Sequence, residues 1–387
     1  MNFKNQFPML INNKDIVYLD NGALSLKPQI VCQAAYDFYA KYSISNRTKD
    51  SILGIHTSEF INKTRKLCAD LLNANIDNVI FTSGTTDSLN QLAQMFKKII
   101  KPNDEILLSV YNHASNIIPY QRFLEQECGA KIIFFTDQQD LFAKTSTKTK
   151  IIALSQVTNN FNVKYDMKTI YEWAKSNEVF FINDAAQAIA YTKVSINECD
   201  AIAMSANKLY GPTGTGLLVF SDRLFDLVDP VKFGGGSFKA MKTYDYKKDF
   251  NAFEAGTLNL AGIYQLGKAI EFQNEIGIEN IQKHVKSISL YLHERLKEID
   301  GINVFSQPGD VICLFNIKKI AAQDIASYLG HKNIYVRSGN FCAFLISSES
   351  GFHASYLRAS IGLHNTKKDI DVLIDTLKKG GDFIDFI

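Results

Sequence analysis

Four short stretches of this sequence bring together residue types that do chemistry. Ser83-Gly84-Thr85-Thr86 follows a β-rich run and precedes a helical pattern. A glycine there permits a tight turn, and free N–H groups and hydroxyls at a helix start make a site for an anion such as phosphate. By themselves the same residues read more simply as an ordinary helix cap. Asp184 ends the apolar run Val179–Asn183 and leads into Ala185-Ala186-Gln187. An acid placed there is buried and needs a cationic partner, or else it caps the next helix. Lys208 lies in Ser205-Ala206-Asn207-Lys208-Leu209-Tyr210-Gly211, just beyond the run Ala201–Ser205. Its amine is a candidate to condense with a carbonyl, although a lone loop lysine reads more simply as solvated surface. Cys342 closes Arg337-Ser338-Gly339-Asn340-Phe341-Cys342, a glycine-containing loop after a strand, as an accessible nucleophile should. The other five cysteines (Cys32, Cys68, Cys128, Cys199, Cys313) sit in core-like surroundings and read as small hydrophobes.

The elements that must carry these residues follow from periodicity. β-rich runs at Asn78–Thr82, Glu105–Ser109, Ala130–Phe135, Lys150–Leu154, Val179–Asn183, Ala201–Ser205 and Gly216–Phe220 alternate with helical patterns. One such pattern is Leu89, Leu92, Met95, Phe96 and Ile99, spaced for a single helix face. This alternation predicts a mostly parallel sheet covered on both faces, with ligands at the carboxyl ends of the strands. Near Asn274–Ile278 the pattern changes to a long amphipathic helix, Glu279–Ile299. Strands at Val311–Phe315 and Ile334–Val336 and helices at Ala321–Leu329 and Lys368–Lys378 then predict a smaller α+β unit.

Composition narrows the class. The 387 residues are 46% hydrophobic and 21% charged, so the chain is globular rather than disordered. The formal net charge of +2 gives no electrostatic case for nucleic acid. Apolar runs such as Ile132–Phe135 are too short to span a membrane, and the first ten residues do not read as a signal peptide. The six cysteines lack CxxC or CxH spacing, which argues against a disulfide framework or a zinc site and for a reducing cytoplasm. A cytoplasmic enzyme of about two domains is expected.

Together, a strand-end acid for a pyridinium nitrogen, a strand-end lysine and a helix N-terminus for phosphate describe a site for pyridoxal 5'-phosphate. With these motifs the chain resembles the NifS-like cysteine desulfurases of the class V aminotransferase superfamily, most closely their SufS type. The match runs from Val17-Tyr18-Leu19-Asp20 to Asn365-Thr366, with many motifs in family order. The resemblance implies an α/β fold, the type I fold of pyridoxal phosphate enzymes. A large domain with a mainly parallel seven-stranded sheet would span 17–275, and a smaller α+β domain would span 276–387 together with 1–16. Lys208 would be the lysine that binds the cofactor, and Asp184 the partner of its ring nitrogen. Gln187 and Asn159 would lie near the ring hydroxyl. His113, in Tyr111-Asn112-His113-Ala114-Ser115-Asn116, would stack on the ring and help to move protons. Thr85, Thr86, Ser205 and Asn207 are the phosphate candidates, with Thr257 serving the phosphate of a neighbouring subunit. Arg358 would clamp the substrate carboxylate bidentately, with Arg337 and His56 also lining the substrate path.

The implied reaction converts L-cysteine to L-alanine, with the sulfur held as a persulfide on Cys342. It then passes to a SufU-like or SufE-like acceptor protein for iron–sulfur cluster assembly. A homodimer is implied, since Thr257 would complete a partner's site. A selenocysteine lyase of the same fold would use the same lysine and arginine, and stands as the alternative. Fifteen residues separate Cys342 from Arg358, as in the short-loop SufS type, so the cysteine is expected to move little. Five positions depart from the pattern. Asn207 stands where a phosphate-binding histidine is usual, Asn340-Phe341 where a His-His pair is common, Asn162 for a glycine and Gln156 for a histidine.

Overall fold

A computed structural model of the chain describes residues 2–48, 50–240, 245–246, 249–346 and 355–379. They form two compact units, one of residues 30–157 and 164–275, the other of residues 1–29, 158–163 and 276–387. Against the division expected at 17 and 276, residues 17–29 and 158–163 group with the C-terminal unit.

The larger unit is built on seven strands: β1 (Val79–Thr82), β2 (Glu105–Ser109), β3 (Lys131–Phe135), β4 (Thr149–Ser155), β5 (Phe180–Asp184), β6 (Ala201–Ser205) and β7 (Gly216–Phe220). Their order in the sheet is β1-β7-β6-β5-β4-β2-β3, and β7 alone runs antiparallel to its two neighbours. The central strands are apolar along their length because both faces are covered; every residue of β5 and β7 is buried. Helices α1 (Ile52–Leu72) and α2 (Thr85–Phe96) belong to this unit. Ser51 caps α1 by accepting from the Gly54 N–H at 3.1 Å, and Asn73 ends it in the left-handed region at φ 54°. On α2 the stripe Leu89, Leu92, Met95 and Phe96 is buried as its spacing predicts, each side chain stabilising the fold by about 2 kcal/mol.

The smaller unit carries a four-stranded antiparallel sheet of β8 (Ile302–Val304), β9 (Ile312–Ile317), β10 (Arg337–Gly339) and β11 (Tyr356–Ser360), ordered β8-β9-β11-β10. Helices α3 (Ile278–Leu296), α4 (Ala322–His331) and α5 (Lys367–Lys378) accompany it. A capping box between Thr366 and Asp369 starts α5. Val17–Tyr18 pairs in parallel with Ile334–Tyr335, which ties the N-terminal segment to this unit. No helix among the described residues is long and apolar enough to cross a membrane.

Candidate active site

In the larger unit the sheet delivers its chemistry at the carboxyl ends of β1, β5 and β6. Gly84 links β1 to α2 with φ 148°, outside the range that side-chain-bearing residues readily adopt. Gly216, the first residue of β7, packs against it, and a Cβ there would lie 2.5 Å from Gly84 Cα and 2.4 Å from the Met204 carbonyl. This contact of two glycines draws the start of α2 onto the end of β6. The Thr85 N–H then donates to Ser205 Oγ at 2.7 Å, and the Thr85 and Ser205 hydroxyls lie 2.9 Å apart. Thr86 Oγ1 is 2.8 Å from Ser115 Oγ. Gly84 has no side chain to cap α2, so the N–H groups that follow Thr85 and this ring of hydroxyls form a cup for an anion.

His113 begins the turn that supplies Ser115. Its Nδ1 accepts from the Ser115 N–H at 3.1 Å, so the neutral ring carries its proton on Nε2. A continuous chain therefore links His113 through Ser115 to Thr86.

Asp184 closes β5 and is only 4% exposed. Its carboxylate accepts from Ser155 Oγ at 3.2 Å and from the Ala186 N–H at 3.0 Å. Among the described residues no lysine or arginine pairs with it. A buried carboxylate held by two neutral donors lacks the cation that burial demands. A protonated pyridine nitrogen supplies that cation, so the residues present fit pyridoxal phosphate. Lys208 occupies the turn that follows β6, the strand paired with β5 through Asp184 and Ala203. Gln187 is buried three residues beyond Asp184, while Asn207 and Lys208 are half-buried. The buried Tyr120 feels the Asp184 charge, and burial raises its hydroxyl well above the ordinary value.

Two further candidates of this unit have other neighbours. His56 sits on α1 in an aromatic cluster, its ring 4.6 Å from that of Tyr42 and 6.3 Å from that of Phe60. Thr257 is exposed on a loop whose base is strongly held. Glu254 accepts from both Arg65 Nη atoms at 2.7 Å and from the Phe81 N–H at 2.7 Å. Arg47 donates to the Gly235 and Gly256 carbonyls at 2.9 and 2.7 Å. Neither arginine has a motif to mark it in the sequence, since both act through residues distant along the chain.

In the smaller unit Arg358 lies on β11 and is 1% exposed. Its Nη2 donates to Asp20 Oδ1 at 3.0 Å, and its Nη1 donates to the Asn159 carbonyl at 3.1 Å. Arg337 donates to the other Asp20 oxygen through Nε at 3.1 Å and Nη2 at 2.8 Å. Asp20 thus joins the two arginines, a role its position in Tyr18-Leu19-Asp20 did not announce. Asn159 donates its amide to the Phe341 carbonyl at 2.8 Å. The Arg358 guanidinium stands 4.7 Å from the centroid of the Phe341 ring. Cys342 is exposed, and eight residues of the loop beyond it, 347–354, lie outside the described set.

The remaining thiols differ in burial. Burial pushes the thiols of Cys68 and Cys313 up to about 12 and raises that of Cys199, which makes all three poor nucleophiles. The expectation for Cys32 is corrected: it is exposed, on the outer face of the helix Gln29–Asp37. Cys128 is half-buried rather than core. Of the substituted positions, Gln156 is fixed by the Asn183 side chain and the Lys193 carbonyl at 2.9 Å each. Asn162 donates to Asp310 at 2.7 Å.

Comparison with known proteins agrees with this geometry. Residues 17–373 match the model of the family described as aminotransferase class-V. A probable cysteine desulfurase of Ureaplasma parvum is 36% identical, over 97% of this chain and 96% of its own. Among solved structures, a cysteine desulfurase of Escherichia coli in its S-sulfonic acid form superposes with a TM-score of 0.91 at 27% identity, covering 100% of this chain and 98% of that one. The apo cysteine desulfurase of Thermococcus onnurineus also gives 0.91 at 27% identity, over 97% and 96% of the two chains. The chain belongs to the aminotransferase class-V family, and its relatives there are cysteine desulfurases.

Proposed function

We propose that the protein is a pyridoxal phosphate-dependent cysteine desulfurase of the SufS type, active in the cytoplasm as a homodimer. It converts L-cysteine to L-alanine and hands the sulfur to an acceptor protein for iron–sulfur cluster assembly. The observation that carries the reading is Asp184, a buried carboxylate with no cationic partner among the described residues, on the strand beside the Lys208 turn.

When bound, pyridoxal phosphate supplies an aldehyde for the substrate amine and a ring that accepts electron density from the α-carbon. Thr85, Thr86, Ser205 and Asn207 hold its phosphate at the start of α2, and Gln187 and Asn159 serve its ring hydroxyl. Asp184, as a carboxylate, keeps a proton on the ring nitrogen. Lys208 Nζ would hold the cofactor and, near the substrate α-carbon, would serve as the base that takes its proton. Arg358 receives the substrate carboxylate, with Arg337 and His56 along the substrate path. The Cys342 thiolate attacks the substrate sulfur: the S–S bond forms as the Cβ–S bond breaks, and the electron pair of that bond stays with the carbon skeleton. Net, the carbon skeleton gains one proton and leaves as alanine, while the sulfur remains on Cys342 as a persulfide. Nε2 of His113 carries a transferable proton for this step.

Thr257 supports the dimer, since an exposed hydroxyl on so firmly held a loop is suited to a neighbour's phosphate. Sedimentation should give a dimer, and a fully active monomer would refute it. The deciding experiment for the activity incubates the protein with pyridoxal phosphate, L-cysteine and a reductant, and assays alanine and sulfide together. Equimolar products support the reading, and absence of alanine refutes it. Turnover restricted to L-selenocysteine would instead identify a lyase.

A further inference from the structure

Backbone strain lies beside the exposed thiol. Phe341 and Cys342 are consecutive non-glycine residues in the left-handed region, at φ 56° and 57°, with Gly339 at φ 125° two residues before Phe341. Residues with side chains avoid this region, and two in succession persist only where surrounding contacts hold them. Those contacts converge on Phe341 rather than on Cys342. The Phe341 carbonyl accepts from the Asn159 amide at 2.8 Å. Its ring is 8% exposed and packs with Ile312, Leu314 and Tyr356. The free face of aromatic density meets the Arg358 guanidinium at 4.7 Å, within cation–π range. Arg358 is itself pinned by Asp20 and by the carbonyl of the same Asn159. Among the described residues Cys342 itself adds one long bond, its N–H to Asn340 Oδ1 at 3.3 Å.

We propose that Phe341 is a positioning residue that locks the Cys342 turn to Arg358. The proposal rests on the reading of Arg358 as carboxylate clamp and Cys342 as sulfur acceptor. In L-cysteine the carboxylate and the thiol are a short distance apart, set by one rotatable bond. A nucleophile fixed relative to the guanidinium therefore meets the substrate sulfur once the carboxylate is seated. Holding the turn in place beforehand removes an entropic cost from the attack. The aromatic ring couples the two because it touches the clamp through its face and the nucleophile through its own backbone. A pair of histidines at 340–341 would offer a different ring chemistry, so this coupling belongs to the Asn340-Phe341 pair of this chain.

The test compares wild type, Phe341→Ala and Phe341→Leu as holoenzymes. Persulfide on Cys342 is followed by mass spectrometry in a single turnover, with steady-state kcat and KM, cofactor content and Tm. Phe341→Ala should slow persulfide formation by about ten- to a hundredfold while KM for L-cysteine stays within about threefold. Phe341→Leu keeps apolar bulk without a ring face, guards against a misfolded alanine variant, and should fall between the two. In the cofactor-free protein, amide exchange across Gly339–Ala343 should quicken in Phe341→Ala. Wild-type protein that never loads Cys342 overturns the underlying reading. Wild-type loading together with undiminished loading in both variants overturns the role of Phe341 alone. A loss confined to KM, or one explained by reduced cofactor content, also overturns it, because the ring would then act on binding.

Discussion

Asp20 and Arg358, 338 residues apart in the chain, form a buried ion pair at 3.0 Å. The guanidinium is 1% exposed, so the carboxylate offsets a charge that water cannot reach. Asp20→Ala leaves that charge uncompensated and is expected to cost about 3 kcal/mol or more, seen as a lower midpoint in chemical denaturation. Arg337 is half-exposed and shares Asp20, but it can turn to solvent, so Arg337→Ala should cost under about 1 kcal/mol. Equal losses in the two variants would mean that burial is not what makes the pair matter.

Lys208 is expected to be indispensable for turnover while contributing little to the anion cup, which is built from Thr85, Thr86, Ser115 and Ser205. Lys208→Ala should yield no alanine from L-cysteine, yet still bind pyridoxal phosphate noncovalently. Alanine production at the wild-type rate would remove Lys208 from the reaction.

The seven strands of the larger sheet were legible because central strands covered on both faces are apolar runs, and the residues just past their ends are where α/β sheets present ligands. Asp184 and Lys208 stood out for that reason. Arg358 was legible only through its motif. Its strand, Tyr356–Ser360, is short and takes its identity from pairing with β9 and β10. The joining role of Asp20 and the anchoring of Phe341 by Asn159 depend on contacts 182 or more residues apart, which no local pattern encodes. Cys32 misled because apolar neighbours on a helix do not say which face is turned inward. The grouping of 158–163 with the C-terminal unit was likewise invisible to periodicity, since that stretch has no regular element of its own.

Gly216→Ala should damage the larger unit out of proportion to one methyl group. The added Cβ would meet the Met204 carbonyl at 2.4 Å and Gly84 at 2.5 Å, both backbone, so neither can yield cheaply. Overpacking of this kind costs about 1–3 kcal/mol, and here it should also spread the contact between Thr85 and Ser205. Weaker binding of pyridoxal phosphate, measured by fluorescence titration, should accompany the lower Tm. A variant with unchanged Tm and cofactor affinity would show that the glycine pair does not set the cup.

The pH dependence of stability should be dominated by the smaller unit. His364 is buried, donates Nε2–H to the Tyr18 carbonyl at 3.1 Å and among the described residues has no partner at Nδ1. Burial lowers it from 6.5 to about 4. His284 and His293 are lowered as well, again chiefly by burial. Between those values the unfolded chain binds more protons than the folded one, so stability is complete above pH 6.5 and falls as the pH drops toward 4. His364 alone accounts for up to about 3 kcal/mol of that loss. His364→Gln should flatten the slope of denaturation midpoint against pH in this window. An unchanged slope would exclude His364 as its source.

The exposed thiols Cys32 and Cys342 provide an internal control for the nucleophile. Both are open to solvent, so accessibility alone does not separate them. Cys342 lies in a strained turn tied to Arg358, whereas Cys32 sits on a regular helix. Cys342→Ala should still bind L-cysteine, because Lys208 and Arg358 remain, but alanine formation should fall by about a thousandfold or more. Cys32→Ala should leave turnover unchanged. In the wild type, peptide mass spectrometry after L-cysteine should find one added sulfur, on Cys342, and basal turnover should be slow because persulfide must be removed before the next cycle. Adding a SufU-like or SufE-like acceptor should raise steady-state turnover without changing the single-turnover rate of persulfide formation, since it acts after that step. Sulfur mapped to Cys32, or alanine formed as fast by Cys342→Ala as by wild type, would move the nucleophile elsewhere.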